Sequence, residues 1–193
     1  MIHDIFKVGV YKEYLLLNNE EIEKYCYNIK QNQNGKNISN QGGFHSENLD
    51  KNDVEIKDLL ENITKDANFY SNELNYGEVE VDNIWCNINS YKDYNQLHCH
   101  PNSKISGVYY VKTPENCGDI EFHNPAYNTL AQAGLSRKNN NYTSLFWWLP
   151  AVEGVLYLFP SWLMHLVRPN MNKDEERISF SFNLDNKNDK VKL

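Results

Sequence analysis

No stretch of this chain approaches the roughly 18 to 20 consecutive apolar residues that a membrane-crossing helix requires. The opening MIHDIFKVGVYKEYLL also lacks the basic end, unbroken apolar core and small-residue cleavage site of a secretory signal. Basic residues never gather into a block, and the formal net charge is −7. Tight binding to a nucleic-acid backbone draws most of its affinity from neutralised phosphates, so this charge argues against it. The four cysteines, Cys26, Cys86, Cys99 and Cys117, form no CxxC pair, as in a reduced, cytoplasmic protein. What the chain does have is 40% apolar residues, with 13 Tyr, 8 Phe and 4 Trp, enough for one domain over 1–193 with a real core. Its Asn-, Lys- and Tyr-rich composition fits an AT-rich genome such as that of a phage, and the protein would then act inside the infected host.

The hydrophobic period changes along the chain. In NNEEIEKYCYNIKQN, Ile22, Tyr25, Cys26 and Ile29 share one stripe behind Asn18 or Asn19 as N-cap. Ile56, Leu59, Leu60, Ile63, Ala67 and Tyr70 repeat at helical spacing after Asn52-Asp53. Between them, KQNQNGKNISNQGGFHSENLD is polar and reads as a surface loop that orders over something. From about residue 78 the period becomes that of strands. VDNIWCNINSY sets Ile84, Cys86 and Ile88 on one face and Trp85, Asn87, Asn89 and Tyr91 on the other. ISGVYYVKT, GDIEFH, EGVLYLFP and RISFSFNL follow, whereas residues 124–151 carry little pattern and read as a long, functional loop. Helices over about 1–77 followed by strands over about 78–185 predict an α+β, mainly β domain, a sandwich or barrel packed by helices.

One constellation stands out from this background. His98 and His100 flank Cys99, and on an extended chain residues i and i+2 point the same way. His165 closes a strand-turn unit, GVLYLFPSWLMH, and Arg177 and Ser179 share one face of the last strand. Imidazoles suit iron, and three ligands on one face leave positions open for small molecules. An arginine fork binds a carboxylate bidentately, and Ser179 adds a hydroxyl. Trp85 and Asn89 share the face of Asn87 and are candidates for the wall of a substrate pocket. His123 reads as a strand-end polar residue, Cys99 should point away from its neighbours' face, and His3 and His45 carry no usable signal.

Taken together, HCHPNSKISGVYYVKTPENCGDIEFHNP, GVLYLFPSWLMHLVRPN and ERISFSFNL resemble the 2-oxoglutarate/Fe(II) oxygenase family of phages and marine bacteria over roughly 81–184. A more distant likeness is to the aspartyl/asparaginyl β-hydroxylases. The resemblance implies a double-stranded β-helix, or jelly roll, with the N-terminal helices packed on it. It implies Fe(II) and 2-oxoglutarate as cofactors and a dioxygenase reaction, most naturally a hydroxylation, in which 2-oxoglutarate becomes succinate and CO₂. It places iron on His98 and His165, and the far carboxylate of 2-oxoglutarate on Arg177 with Ser179. Asn87 and Tyr109 would lie near that co-substrate. His100 stands where most of the superfamily has Asp or Glu, so the third position is open to His100, to Asp119 or to water. Two other readings remain, a cupin-like dioxygenase that does not use 2-oxoglutarate and a non-catalytic jelly-roll binding module; Arg177 and Ser179 argue against the first. The acidic composition favours a small molecule or a protein side chain as substrate over nucleic acid. The resemblance is also compatible with a homodimer, since jelly-roll oxygenases often pair through their N-terminal helices.

Overall fold

The computed structural model describes residues 3, 5, 7–134 and 140–187. Within the helical N-terminal part it adds a strand the sequence did not announce, β1 (Tyr11–Tyr14), followed by α1 (Asn19–Asn32). Asn18 caps α1, its side chain accepting from the amide of Glu21, and Glu20 and Glu21 sit favourably in the first turn. Two short strands, β2 (Asn40–Gln41) and β3 (Phe44–His45), lie inside the expected surface loop. A single 3₁₀ turn (Val54–Ile56) leads into α2 (Lys57–Glu73), which buries Leu59, Ile63, Ala67 and Tyr70 as its period predicts.

The remaining strands are β4 (Val79–Asn89), β5 (Tyr94–His98), β6 (Ile105–Lys112), β7 (Ile120–His123), β8 (Phe146–Leu149), β9 (Val155–Pro160), β10 (His165–Val167) and β11 (Arg177–Asn186). They form two antiparallel sheets, one of order β1-β9-β6-β11-β4-β3 and one of order β2-β5-β10-β7-β8. This is the expected jelly roll, mainly β with few helices. The stretch 124–151 is not the patternless loop expected: it holds β8 and a short helix, α3 (Tyr127–Gln132), while 135–139 lie outside the described residues. Strand β8 was hidden because FWWL is too short to show alternation.

Two apolar clusters fix this arrangement. Ile22, Cys26 and Ile29 of α1 and the buried face of α2 pack on the six-stranded sheet against Ile84, Cys86, Ile88, Ile178, Phe180 and Phe182. Between the sheets lie Val108, Tyr110, Ile120, Phe122, Tyr157 and Phe159. Strand β11, in the middle of its sheet, therefore sends even-numbered residues to the helices and odd-numbered ones, Arg177, Ser179, Ser181 and Asn183, to the space between the sheets. Its register sets Arg177 beside Asn89, Ser179 beside Asn87 and Ser181 beside Trp85.

Close packing on the helix side has a sharp consequence at Gly107 of β6. A Cβ there would overlap the ring of Phe182 and lie 2.8 Å from Cδ2 of Leu158. Overpacking of this kind costs about 1–3 kcal/mol. Gly107→Ala should therefore lower the urea midpoint at unchanged slope; an unchanged midpoint would contradict the packing described.

Candidate metal and co-substrate site

Backbone register brings the histidines together. His98, the last residue of β5, pairs directly across the ladder with His165, the first of β10. His100 lies just beyond β5, anchored by its amide donating to the carbonyl of Ser161 at 2.8 Å. The ring centroids stand 4.3 Å apart for His98 and His165, 5.0 Å for His98 and His100, and 5.3 Å for His100 and His165. One nitrogen from each ring lies within 4.8 Å of the others, so the three could hold a metal ion.

Tautomers are set by the backbone. Nδ1 of His98 meets the carbonyl oxygen of Gln96 at 2.6 Å, and Nδ1 of His165 meets that of Leu163 at 2.8 Å. A carbonyl only accepts, so each Nδ1 carries the proton and leaves Nε2 with a free lone pair, the form a metal needs. Burial, and then the neighbouring imidazole of His98, push the pKa of His165 down to about 3 and that of His100 down to about 4; burial lowers His98 as well. Three neutral imidazoles therefore face one another near neutral pH. Asp119 is not among them: it precedes β7 and lines a separate cleft with Cys117 and Arg168. Cys99, as expected, takes no part in the cluster. His123 ends β7 against Glu121, Tyr127 and Phe146, a polar strand end.

A second feature of the same cavity is a cation with two of its three nitrogens unpartnered. Arg177 is only 1% exposed. Its Nη1 is surrounded by the carbonyl oxygens of Cys117 at 2.6 Å, Gly118 at 3.1 Å and Arg168 at 3.1 Å. Its Nε and Nη2, the edge that matches a carboxylate, are buried and have no partner. The hydroxyl of Tyr110 is also buried and unpartnered, and burial keeps it protonated. Orphaned donors of this kind are rare in native interiors and call for an explanation. Desolvation lowers the pKa of Arg177 from its usual value, a cost that a bound anion would offset.

The cavity wall is mostly the one the strand alternation predicted. Trp85, Asn87, Asn89 and Ser179 line it together with His98, His100, His165 and Arg177. Asn87 donates to the hydroxyl of Ser181 at 3.0 Å. Tyr109 does not belong to it, and this corrects the expectation that it lies near the co-substrate. Its hydroxyl reaches the opposite way, to Oδ1 of Asn19 at 2.7 Å, and its ring packs among the residues under the helices. The inward tyrosine of the pair is Tyr110. Nothing in SGVYYV separates them, because all but the last residue of β6 are buried and alternation leaves no mark on a strand covered on both faces. Also missed was His45, whose ring stacks on Trp85 at 5.3 Å and 10°. The segment carrying it does order over the site, since Ser39 lines the cavity and bonds to Asn95.

A jelly roll that gathers three neutral histidines and the free fork of a buried arginine in one cavity has the construction of a non-haem iron oxygenase that uses an acidic co-substrate. The family model described as "Putative 2OG-Fe(II) oxygenase" matches residues 83–183, and the chain belongs to that family. Enzymes of this family depend on Fe(II) and 2-oxoglutarate. Among curated proteins, none is similar to the chain in sequence. Several solved structures share its fold. A prolyl-4-hydroxylase from Pseudomonas putida superposes with a TM-score of 0.66 at 14% identity, over 93% of this chain and 94% of that one. HygX from Streptomyces hygroscopicus, solved with nickel and 2-oxoglutarate bound, gives 0.63 at 10% identity over 93% and 84%. A prolyl hydroxylase from Trichoplax adhaerens, in complex with a hypoxia inducible factor peptide, gives 0.62 at 13% over 91% and 83%.

The depressed histidine pKa values make acid stability a test of the site. In the unfolded chain an imidazole takes up a proton below about pH 6.5, whereas in the folded protein His100 stays neutral to about pH 4. Its contribution is fully present above pH 6.5 and is lost as the pH falls towards 4. In the metal-free protein, His100→Gln should flatten the slope of unfolding free energy against pH between 6 and 4.5, by up to about 1.4 kcal/mol per pH unit. Equal slopes in denaturant titrations of the two proteins would contradict the neutral triad.

Proposed function

We propose that this chain is a 2-oxoglutarate- and Fe(II)-dependent hydroxylase whose iron is held by His98, His100 and His165 and whose co-substrate is anchored by Arg177. The observation that carries the reading is the unpartnered Nε and Nη2 edge of Arg177, a residue that lines the cavity holding the three histidines. A cupin-like dioxygenase without 2-oxoglutarate has no use for that buried cation, nor does a binding module for the histidines beside it. In this reading His100, not Asp119 or water, completes the ligand set.

Iron, when bound, supplies the redox chemistry that couples decarboxylation of 2-oxoglutarate to insertion of oxygen into a substrate C–H bond. The chain supplies the rest. His98 and His165 present Nε2 because their Nδ1 protons are committed to backbone carbonyls. Arg177 grips the far carboxylate through two parallel N–H donors, with the hydroxyls of Tyr110 and Ser179 as further donors to the same group. Asn87 and Asn89 flank the co-substrate, and Trp85 forms a wall of the pocket, held in place by stacking on His45. The aliphatic and aromatic lining, Val108, Ile120 and Phe159, limits water near the reacting centre. The single-domain organisation over 1–193 fits this arrangement, the helices supporting the sheet that carries Arg177.

For substrate, the solved structures of similar fold include one with a peptide and another, HygX, with hygromycin B. A small molecule or a protein side chain remains our reading. Among the described residues no helix is long and apolar enough to cross a membrane.

Removing one partner from a desolvated charge pair costs about 2–5 kcal/mol. Arg177→Met should therefore raise the KM for 2-oxoglutarate by roughly 30-fold to 4,000-fold, read as succinate formed in uncoupled turnover, with Fe(II) affinity unchanged. An unaltered KM would exclude Arg177 as the anchor.

A further inference from the structure

Behind Arg177, the loop between β6 and β7 meets the loop between β10 and β11. The amide of Arg168 donates to the carbonyl of Asp119 at 2.9 Å, and the amide of Met171 to that of Asn116 at 2.8 Å. Gly118 stands at the closest approach, with φ +85°, a conformation that side chains disfavour. A Cβ at this position would overlap the carbonyl oxygen of Arg168 and lie 2.6 Å from that of Pro169. That Arg168 oxygen is one of the three that hold Nη1 of Arg177, and another belongs to Gly118 itself. The atom that forbids a side chain at 118 is thus an atom that orients the guanidinium.

We infer that Gly118 is a positioning residue for the co-substrate: its missing side chain lets two loops close into a carbonyl cage that aims the free edge of Arg177 into the cavity. The inference rests on the reading of Arg177 as the 2-oxoglutarate anchor. The cage is made of neutral dipoles, so it fixes the cation without neutralising it and leaves the charge for a ligand. A side chain at 118 parts the loops, turns Arg177 and weakens the grip on the far carboxylate only. The metal ligands lie on β5, just beyond it and on β10, outside the two loops, so iron binding is untouched. Gly77 provides an internal control. It has the same φ of +85°, yet a Cβ there meets nothing within 4 Å. Substitution at 77 carries the backbone strain without disturbing the cage.

The test compares dissociation constants of 2-oxoglutarate and 2-oxobutyrate, which keeps the keto acid but lacks the far carboxylate. They are measured anaerobically on the Fe(II)-loaded full chain, in wild type, Gly118→Ala and Gly77→Ala, together with Fe(II) affinity and the Tm of the metal-free proteins. Gly118→Ala should weaken 2-oxoglutarate by about 10- to 100-fold, the size expected for losing one hydrogen bond to a charged group. It should leave 2-oxobutyrate and Fe(II) unchanged, while Gly77→Ala lowers Tm alone. Wild-type affinity for 2-oxoglutarate in Gly118→Ala, or parallel losses for both keto acids and iron, would overturn the inference. If Gly118→Ala does not fold, hydrogen exchange on wild type decides. Saturating 2-oxoglutarate, but not 2-oxobutyrate, should slow exchange at the amides of Arg168 and Met171, and equal exchange would overturn the cage. A wild type that shows no preference for 2-oxoglutarate over 2-oxobutyrate defeats the anchor reading of Arg177, and this inference with it. A preference that survives Gly118→Ala defeats the inference alone.

Discussion

A guanidinium 1% exposed, bonded on one side and bare on the other, is the constraint around which the rest of this protein is arranged. Taking a charge out of water is expensive, and leaving it without a counter-ion costs several kcal/mol more. The chain does not spend a carboxylate on Arg177. It surrounds one nitrogen with carbonyl dipoles from two loops and leaves the other edge empty. Strand β11 supplies the position, its odd-numbered residues facing the space between the sheets. The loop that supplies one of those carbonyls is itself tied down by Asn170, fully buried, whose side-chain amide donates to the carbonyls of Asn89 and Glu175. Arginine, loop and neighbouring strand are thereby fixed as one unit.

The metal end of the cavity complements this. Three imidazoles are held neutral by burial, helped at His100 and His165 by the neighbouring rings, and two are fixed in tautomer by their own backbone. No carboxylate joins them among the described residues. A divalent ion bound there keeps its full charge, and the same cavity is lined by another cation, Arg177. An anionic chelator with a second carboxylate at its far end offsets both, which is the chemistry of 2-oxoglutarate. Fold, ligand set and arginine thus point to one co-substrate from independent physical grounds: shape, coordination and electrostatics.

Much of this was legible in the sequence because the site uses local rules. A histidine pair at i, i+2 and an Arg-x-Ser strand each announce a shared face by spacing, whereas the roles of His98, His165 and Arg177 came from the family resemblance. The face of Asn87 and Asn89 followed because β4 alternates apolar and polar residues. Where alternation is absent, the reading failed: β6 is buried on both sides, and Tyr109 was taken for the inward residue in place of Tyr110. Asp119 was one of three options for the third ligand position, open only if the next strand brought it near the metal, and its position one residue before β7 sends it to another cleft. Contacts between distant segments, such as His45 on Trp85 or Gly118 against Arg168, depend on how loops meet and leave no periodic trace. Of the strands of two to four residues, β1, β2, β3 and β8 escaped the reading because pairing partners set them more than their own pattern.

The account depends on iron and 2-oxoglutarate meeting in one cavity. The most direct measurement is anaerobic addition of 2-oxoglutarate to the Fe(II)-loaded chain, followed in the visible for the weak metal-to-ligand charge-transfer band of a chelated keto acid. The account predicts that the band develops in wild type and is lost in His165→Ala. Iron binding without the band, or no iron binding at all, would contradict it.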